Sequence, residues 1–127
     1  MLSLSTLFGC KSQTKENEEA SKTVQVKKTI QVVDVAIFKN GITNTDIQLI
    51  DVRTPKEYDD GHINDAILID YFSDDFKTKV QEFDKEKPLY LYCRSGGRSG
   101  KASKILKELG FKEIYDLKGG YLAWSKQ

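Results

Sequence analysis

Hydrophobic and polar positions divide this chain into three regimes. The first nine residues, MLSLSTLFG, are largely apolar; Lys11 to Lys28 hold five lysines, three glutamates, few apolar residues and no usable period. From about residue 29 onward, short runs of β-formers alternate with stretches whose apolar residues recur at helical spacing. The middle regime reads as a solvated polar linker, 11–28, because it has too little apolar surface to offset the entropy of ordering it. The third, 29–127, reads as the folded domain. Strands that alternate with helices predict a parallel α/β sheet covered on both faces.

The individual elements follow from the pattern. A strand is expected over 29–33, followed by a helix with Asp34 as N-cap and Val33 and Phe38 placed as a hydrophobic staple. "DIQLIDV" (46–52) is the next strand, a short helix follows Pro55, and "AILID" (66–70) is another strand. Ser73 is expected to cap a helix with Asp74 and Asp75 in its first turn and Phe72, Phe76, Val80 and Phe83 on one face. "PLYLYC" (88–93) reads as the central strand. Ala102, Ile105, Leu106 and Leu109 then mark a helix over 99–109 that Gly110 stops, and a strand "EIYDL" and a short helix "GYLAWSKQ" close the domain.

Composition narrows the function classes. At 127 residues the chain has room for one core, and a net charge of +1 supplies no field that would attract nucleic acid. Trp124 and the tyrosines are therefore read as packing residues, since no basic stripe accompanies them. No run approaches the length that spans a membrane. Asp59 and Asp60 read as a solvated turn, and no metal site or other cofactor is expected.

Two cysteines occur, Cys10 and Cys93. A disulfide between them would tie the polar tail to the core, and the pattern favours separate roles. Leu7-Phe8-Gly9-Cys10 resembles the lipobox of bacterial lipoproteins, in which a small residue precedes a cysteine that is lipidated and becomes the mature N-terminus. On that resemblance 1–10 is the end of a truncated lipoprotein signal segment, Cys10 is the lipidation site, and the polar tail tethers the domain to a membrane in the cell envelope, facing the periplasm. The alternative is a frayed apolar N-terminus on a cytoplasmic protein.

Cys93 opens the stretch "CRSGGRS", between a buried strand and a helix, where open α/β sheets bind their ligands. Gly96 and Gly97 permit unusual dihedrals, so successive N–H groups can turn toward one point and form an anion cradle. The helix N-terminus adds partial positive charge, and Arg94 and Arg98 add whole charges. All three effects favour thiolate over thiol and make Cys93 a candidate nucleophile. A cysteine that merely packs does not need two arginines and two glycines in the next five positions.

With that loop placed, the chain resembles the single-domain rhodaneses, a sulfurtransferase family. The resemblance rests on three pieces in order: "LIDVRTPKEYDDGHINDAILI" (49–69), "CRSGGRS" and "LKGGYLAW" (117–124). It implies a three-layer α/β domain in which a Cys93 thiolate takes the outer sulfur of an anionic donor such as thiosulfate, becomes a persulfide, and passes that sulfur to cyanide, a small thiol or a protein thiol. Backbone N–H groups from Arg94 through Ser95, Gly96, Gly97 and Arg98 to Ser99 would hold thiolate and persulfide, and the Arg94 and Arg98 side chains would bind the donor. Asp51 and Arg53 would pair at the pocket's rim. The imidazole of His62 would tie down a loop rather than act as a base. The protein is expected to act as a monomer without a cofactor.

Related phosphatases and arsenate reductases also cradle a cysteine, but with one more residue in the loop. Here four residues lie between Cys93 and Arg98, a smaller ring that suits a sulfur atom better than a tetrahedral oxyanion. A binding or redox module for a protein partner is the other alternative. Two-domain thiosulfate enzymes carry an extra basic residue after the Asp-x-Arg segment, where this chain has Glu57, so its pocket should be less cationic than theirs.

Overall fold

The structure, a computed structural model, describes residues 27–127. The expectations for Cys10, the 1–10 segment and nearly all of the linker lie outside the described residues. The chain order is β1 (Ile30–Val33), α1 (Val35–Gly41), β2 (Gln48–Asp51), α2 (Pro55–Asp59), β3 (Ile67–Leu68), α3 (Phe76–Val80), β4 (Leu89–Tyr92), α4 (Gly97–Glu108), β5 (Ile114–Leu117) and α5 (Gly120–Trp124). All five strands are parallel, in the order β1-β5-β4-β2-β3.

β4 is the central strand because it is apolar on both faces. Leu89, Leu91 and Cys93 alternate with Tyr90 and Tyr92, and all five are buried. The first set packs with Ile50, Val52 and Ile114 under Phe76 and Val80 of α3 and Ala102 and Leu106 of α4. The second set packs on the other face with Phe38 of α1, Leu49 and Leu117, beside Tyr58 of α2 and Tyr121 and Trp124 of α5. The two clusters make the three layers, and the period-2 alternation of one strand feeds both of them.

Local signals act as expected at α1 and α2. Asp34 accepts the Ile37 N–H at 3.0 Å, and Val33 packs against the cluster that holds Phe38. Thr54 and Glu57 form a full capping box at α2, with Pro55 in the first turn.

Several boundaries differ from the expectation. β2 and β3 are shorter than 46–52 and 66–70, β3 being reduced to two residues on the sheet edge. α3 starts at Phe76, not at a Ser73 cap: the Ser73 hydroxyl bonds the Asp75 carboxylate instead, and Phe72 is left 65% exposed rather than on the buried face with Phe76 and Val80. Short polar side chains that find a partner within their own turn compete with the helix for it. α4 begins at Gly97, two residues earlier than 99, so that the last three residues of the Cys93 loop already belong to the first helical turn.

Strand order explains where chemistry is possible. β4 lies between β2 and β5, so the segments leaving the carboxyl ends of all three converge: Val52-Arg53, Cys93 to Ser99, and Lys118 to Gly120.

Candidate active site

Cys93 is 1% exposed at the end of β4, and its Sγ accepts the Gly96 N–H at 3.0 Å. Gly96 is the N-cap of α4, with φ +117 and ψ −16. A Cβ there would meet nothing within 4 Å, so glycine is required by the backbone conformation rather than by space. The Gly96 carbonyl accepts the Gly100 N–H at 3.0 Å, which closes the first helical turn. The N–H groups of Gly96, Gly97, Arg98 and Ser99 thus precede any intrahelical acceptor, and the first of the four is spent on sulfur. Ser95 and Gly97 are exposed; Ser99 is fully buried, its hydroxyl 3.3 Å from the Gly96 carbonyl.

The other side of the loop is held by α5. Tyr121 N–H donates to the Cys93 carbonyl at 2.8 Å and Leu122 N–H donates to the Arg94 carbonyl at 3.0 Å. Two glycines, Gly119 at φ +79 and Gly120 at φ +58, turn the chain from β5 into this position. The "LKGG" piece therefore supplies backbone that fastens the peptide on either side of the nucleophile's carbonyl, a role that sequence spacing alone does not disclose.

Asp51 and Arg53 are both buried and form an ion pair. Arg53 Nη2 lies 2.7 Å from Asp51 Oδ2 and donates also to the Gly61 carbonyl at 2.7 Å, while its Nε is 3.0 Å from Asp51 Oδ1. Its guanidinium lies over the rings of Tyr121 and Tyr92, 4.4 Å and 5.4 Å from their centroids. A charge buried this way is compensated by the Asp51 carboxylate and held beneath the cavity it lines. Burial, and then hydrogen bonding to Asp51, hold the Tyr92 phenol far above its ordinary value, so it is a neutral structural hydroxyl that accepts the Ile63 N–H at 3.0 Å.

The two loop arginines differ. Arg94 is exposed and has no ion-pair partner among the described residues. Arg98 is bidentate on Glu57, with Nη1 to Oε1 at 2.7 Å and Nη2 to Oε2 at 2.9 Å. The same Glu57 is the capping-box residue of α2, with Oε1 accepting the Thr54 N–H at 3.1 Å. Chiefly through the Arg98 hydrogen bond, its carboxyl is held down to about 2. The Arg98 guanidinium, expected to bind the donor, is thus engaged by a carboxylate of α2, whereas that of Arg94 is not.

His62 is exposed, stacks on Tyr58 with centroids 3.6 Å apart, and keeps Nδ1 2.8 Å from the Tyr58 carbonyl. No hydrogen bond joins it to Cys93 among the described residues. Asp60 pairs with Lys56 on the surface of α2.

A cavity of about 220 Å³ beside the loop is lined by Arg53, Glu57, Asp60, Gly61, Arg94, Tyr121 and Leu122. A larger one, about 530 Å³, opens among Ile42, Ile47, Ile67 and Phe83 at the amino ends of β2 and β3. Cys93 itself lines neither, but the smaller cavity is lined by Arg94, its neighbour in the chain, and by Tyr121, whose N–H holds the Cys93 carbonyl.

One buried carboxylate escaped the sequence reading. Asp116 on β5 shares the α4 face with Ile114, is 4% exposed, and leaves Oδ1 without a partner, with the buried Ser99 as its hydrogen-bonding neighbour. Burial raises its carboxyl to about 6, with a weaker opposing hydrogen bond from Ser99. In the sequence it is merely the polar member of an alternating strand.

Comparisons with known proteins agree with this geometry. The model of the rhodanese-like domain family matches residues 15–127. A Bacillus subtilis protein, YqhL, of uncharacterized function, is 46% identical over 77 residues, 61% of this chain and 60% of that protein, so the chain spans well under two thirds of that relative's length. A "Sulfurtransferase" of Allochromatium vinosum is 35% identical over 64% of this chain and 74% of its own. The "Thiosulfate sulfurtransferase GlpE" of Coxiella burnetii is 37% identical over 65% of this chain and 76% of its own. Among solved structures, a rhodanese-like domain protein of Staphylococcus aureus superposes with a TM-score of 0.66 at 29% identity, covering 74% of this chain and 90% of that one. The human single-domain sulfurtransferase TSTD1 shares the fold, with a TM-score of 0.68 at 20% identity over 76% of this chain and 96% of that one.

Proposed function

The chain belongs to the rhodanese-like domain family, and from that premise we propose that it transfers sulfane sulfur through a persulfide on Cys93. The observation that carries the reading is the 3.0 Å hydrogen bond from Gly96 N–H to Cys93 Sγ at the head of α4. A donor aimed at sulfur from a helix N-terminus is placed to hold the negative charge of a persulfide formed there. The names of the Allochromatium and Coxiella relatives support the same chemistry.

The cycle balances without a cofactor. The Cys93 thiolate attacks the outer sulfur of an anionic sulfane donor, the donor's S–S bond breaks, and its electron pair leaves with the remainder, sulfite in the case of thiosulfate. A thiol or cyanide then attacks the terminal sulfur of the persulfide and regenerates the thiolate. The fixed carbonyls of Cys93 and Arg94, bonded to α5, keep the sulfur at the loop centre through both half-reactions. Arg94 faces the entering anion.

The short ring and the engagement of Arg98 by Glu57 disfavour phosphoryl or arsenate chemistry, which would need that guanidinium on the oxyanion. If Cys10 is lipidated, as its Leu-Phe-Gly-Cys context suggests, the donor and acceptor are those of the cell envelope. Incorporation of an alkynyl fatty acid that is lost in Cys10→Ala tests that part.

Intact-protein mass spectrometry after exposure to thiosulfate tests the cycle. The reading expects a gain of one sulfur atom that cyanide removes and that Cys93→Ser abolishes. A Cys93→Ser protein that still transfers sulfur would overturn it.

A further inference from the structure

We propose that Glu57 sets the charge of the sulfur donor: by engaging Arg98 it leaves Arg94 as the one unpaired cation among the described residues that line the mouth, so the site selects singly charged organic donors over dianionic thiosulfate. This rests on the sulfurtransferase reading above and specifies its donor.

The charges around the cavity can be paired off one by one. Arg53 is neutralised by Asp51, Arg98 by Glu57, and Asp60 by Lys56. Arg94 remains, beside the cavity it lines with Leu122. The Glu57–Arg98 pair is not a mobile surface contact. Both oxygens of Glu57 are used by the two guanidinium nitrogens, Thr54 fixes the same carboxylate from its N–H and its hydroxyl, and the Phe72 ring lies 5.7 Å from the guanidinium carbon. The two side chains are 20% and 26% exposed, shielded enough that the pair stays formed while a donor enters.

The same rim is apolar. Phe72 is 65% exposed on the Arg98 side of the loop, and Leu122 is 39% exposed on the Arg94 side. One unpaired cation between two exposed hydrocarbon surfaces matches a donor with one negative charge and an apolar body. Organic thiosulfonates, RSO₂S⁻, and organic persulfides, RSS⁻, have that form. In the thiosulfonate reaction the Cys93 thiolate attacks the outer sulfur, the donor S–S bond breaks, and RSO₂⁻ leaves with the electron pair. The chemistry is the thiosulfate reaction with one charge fewer on donor and leaving group. A second negative charge on the donor would meet the Glu57 carboxylate with no further cation among the described lining residues to offset it.

Benzenethiosulfonate and thiosulfate are the probes, with rates of Cys93 persulfide formation measured on the full chain. Glu57→Gln keeps an oxygen that can accept the Thr54 N–H and so preserves the helix cap while it removes the charge. The rate constant with thiosulfate should rise about tenfold in Glu57→Gln and become strongly salt-sensitive, while that with benzenethiosulfonate changes less than about threefold. Glu57→Asp, which retains the charge, should keep the native ratio between donors. Equal changes with both donors in Glu57→Gln, or an Asp variant that behaves like the Gln variant, would overturn the proposal in favour of a purely structural role. If neither donor yields a persulfide on Cys93 in the native chain, it is the sulfurtransferase reading that fails; persulfide from both with an unchanged donor ratio defeats the charge selection alone.

Discussion

Gly120 is pressed against the carbonyl of Cys93: a Cβ added to it would lie 2.6 Å from that oxygen and 2.5 Å from the Arg94 carbonyl oxygen. With φ at +58 the position also has the left-handed backbone that side chains resist. Both facts have one cause. α5 must approach closely enough for the N–H groups of Tyr121 and Leu122 to reach the two carbonyls.

Gly120→Ala should therefore displace the nucleophile rather than merely crowd it. The backbone cannot yield the way a flexible side chain could, and the expected loss of stability is about 2 kcal/mol or more. Thermal unfolding and the rate of persulfide formation should fall together. A variant with native Tm and rate would show that the α5 contact does not position Cys93.

At Gly96 the constraint is different, because space is open and only the dihedral is unusual. Gly96→Ala should cost about 1 to 2 kcal/mol if the native φ is kept. If φ relaxes instead, the N–H turns from Sγ and persulfide formation drops by about tenfold or more. Gly100 supplies the control, since it lies inside α4 with nothing near its missing Cβ. Gly100→Ala should raise stability by about 0.5 to 1 kcal/mol and leave the rate unchanged. Denaturant unfolding and mass-detected kinetics on the two variants separate these outcomes.

What the sequence made legible was local. The Leu-Tyr-Leu-Tyr-Cys alternation identifies the central strand because each face feeds its own cluster, and the glycines after Cys93 announce an unusual backbone within a few residues of the nucleophile. The Glu57–Arg98 pair was not legible, since its partners are 41 residues apart and each has a sufficient local explanation, Glu57 as a capping residue and Arg98 as a loop cation. α3 misled for a related reason: Ser73 and Asp75 have cap chemistry but satisfy each other. Phe72 consequently leaves the core and becomes part of the rim.

His62 tests whether the only histidine takes part in chemistry. Its ring is stacked on Tyr58 and held to the Tyr58 carbonyl, contacts that steady the turn after α2, and Arg53 binds the neighbouring Gly61 carbonyl. His62→Ala should cost about 1 kcal/mol of stability and change the persulfide-forming rate by less than about threefold. Full stability combined with lost activity would restore the imidazole as a base for Cys93.

Asp116 gives a pH dependence of opposite sign to that of a paired carboxylate. Its carboxyl is raised to about 6 when folded, against an ordinary value of 3.8, because burial disfavours the charge. Below about pH 4 the group is neutral in both folded and unfolded chains and costs nothing by ionisation. As pH rises from about 4 through 6, the unfolded chain ionises freely while the folded chain must hold a charge beneath α4, so this group's contribution to stability is lost across that window. Asp116→Asn removes the titration while keeping the side chain's size and shape. The variant should be more stable than the native protein by about 2 kcal/mol at pH 7.5, with the advantage fading toward pH 4. Urea midpoints measured at both pH values check the sign. An advantage that instead grew on acidification would mean that Asp116 is stabilised as the anion, with a cation or a donor from α4 turned toward it.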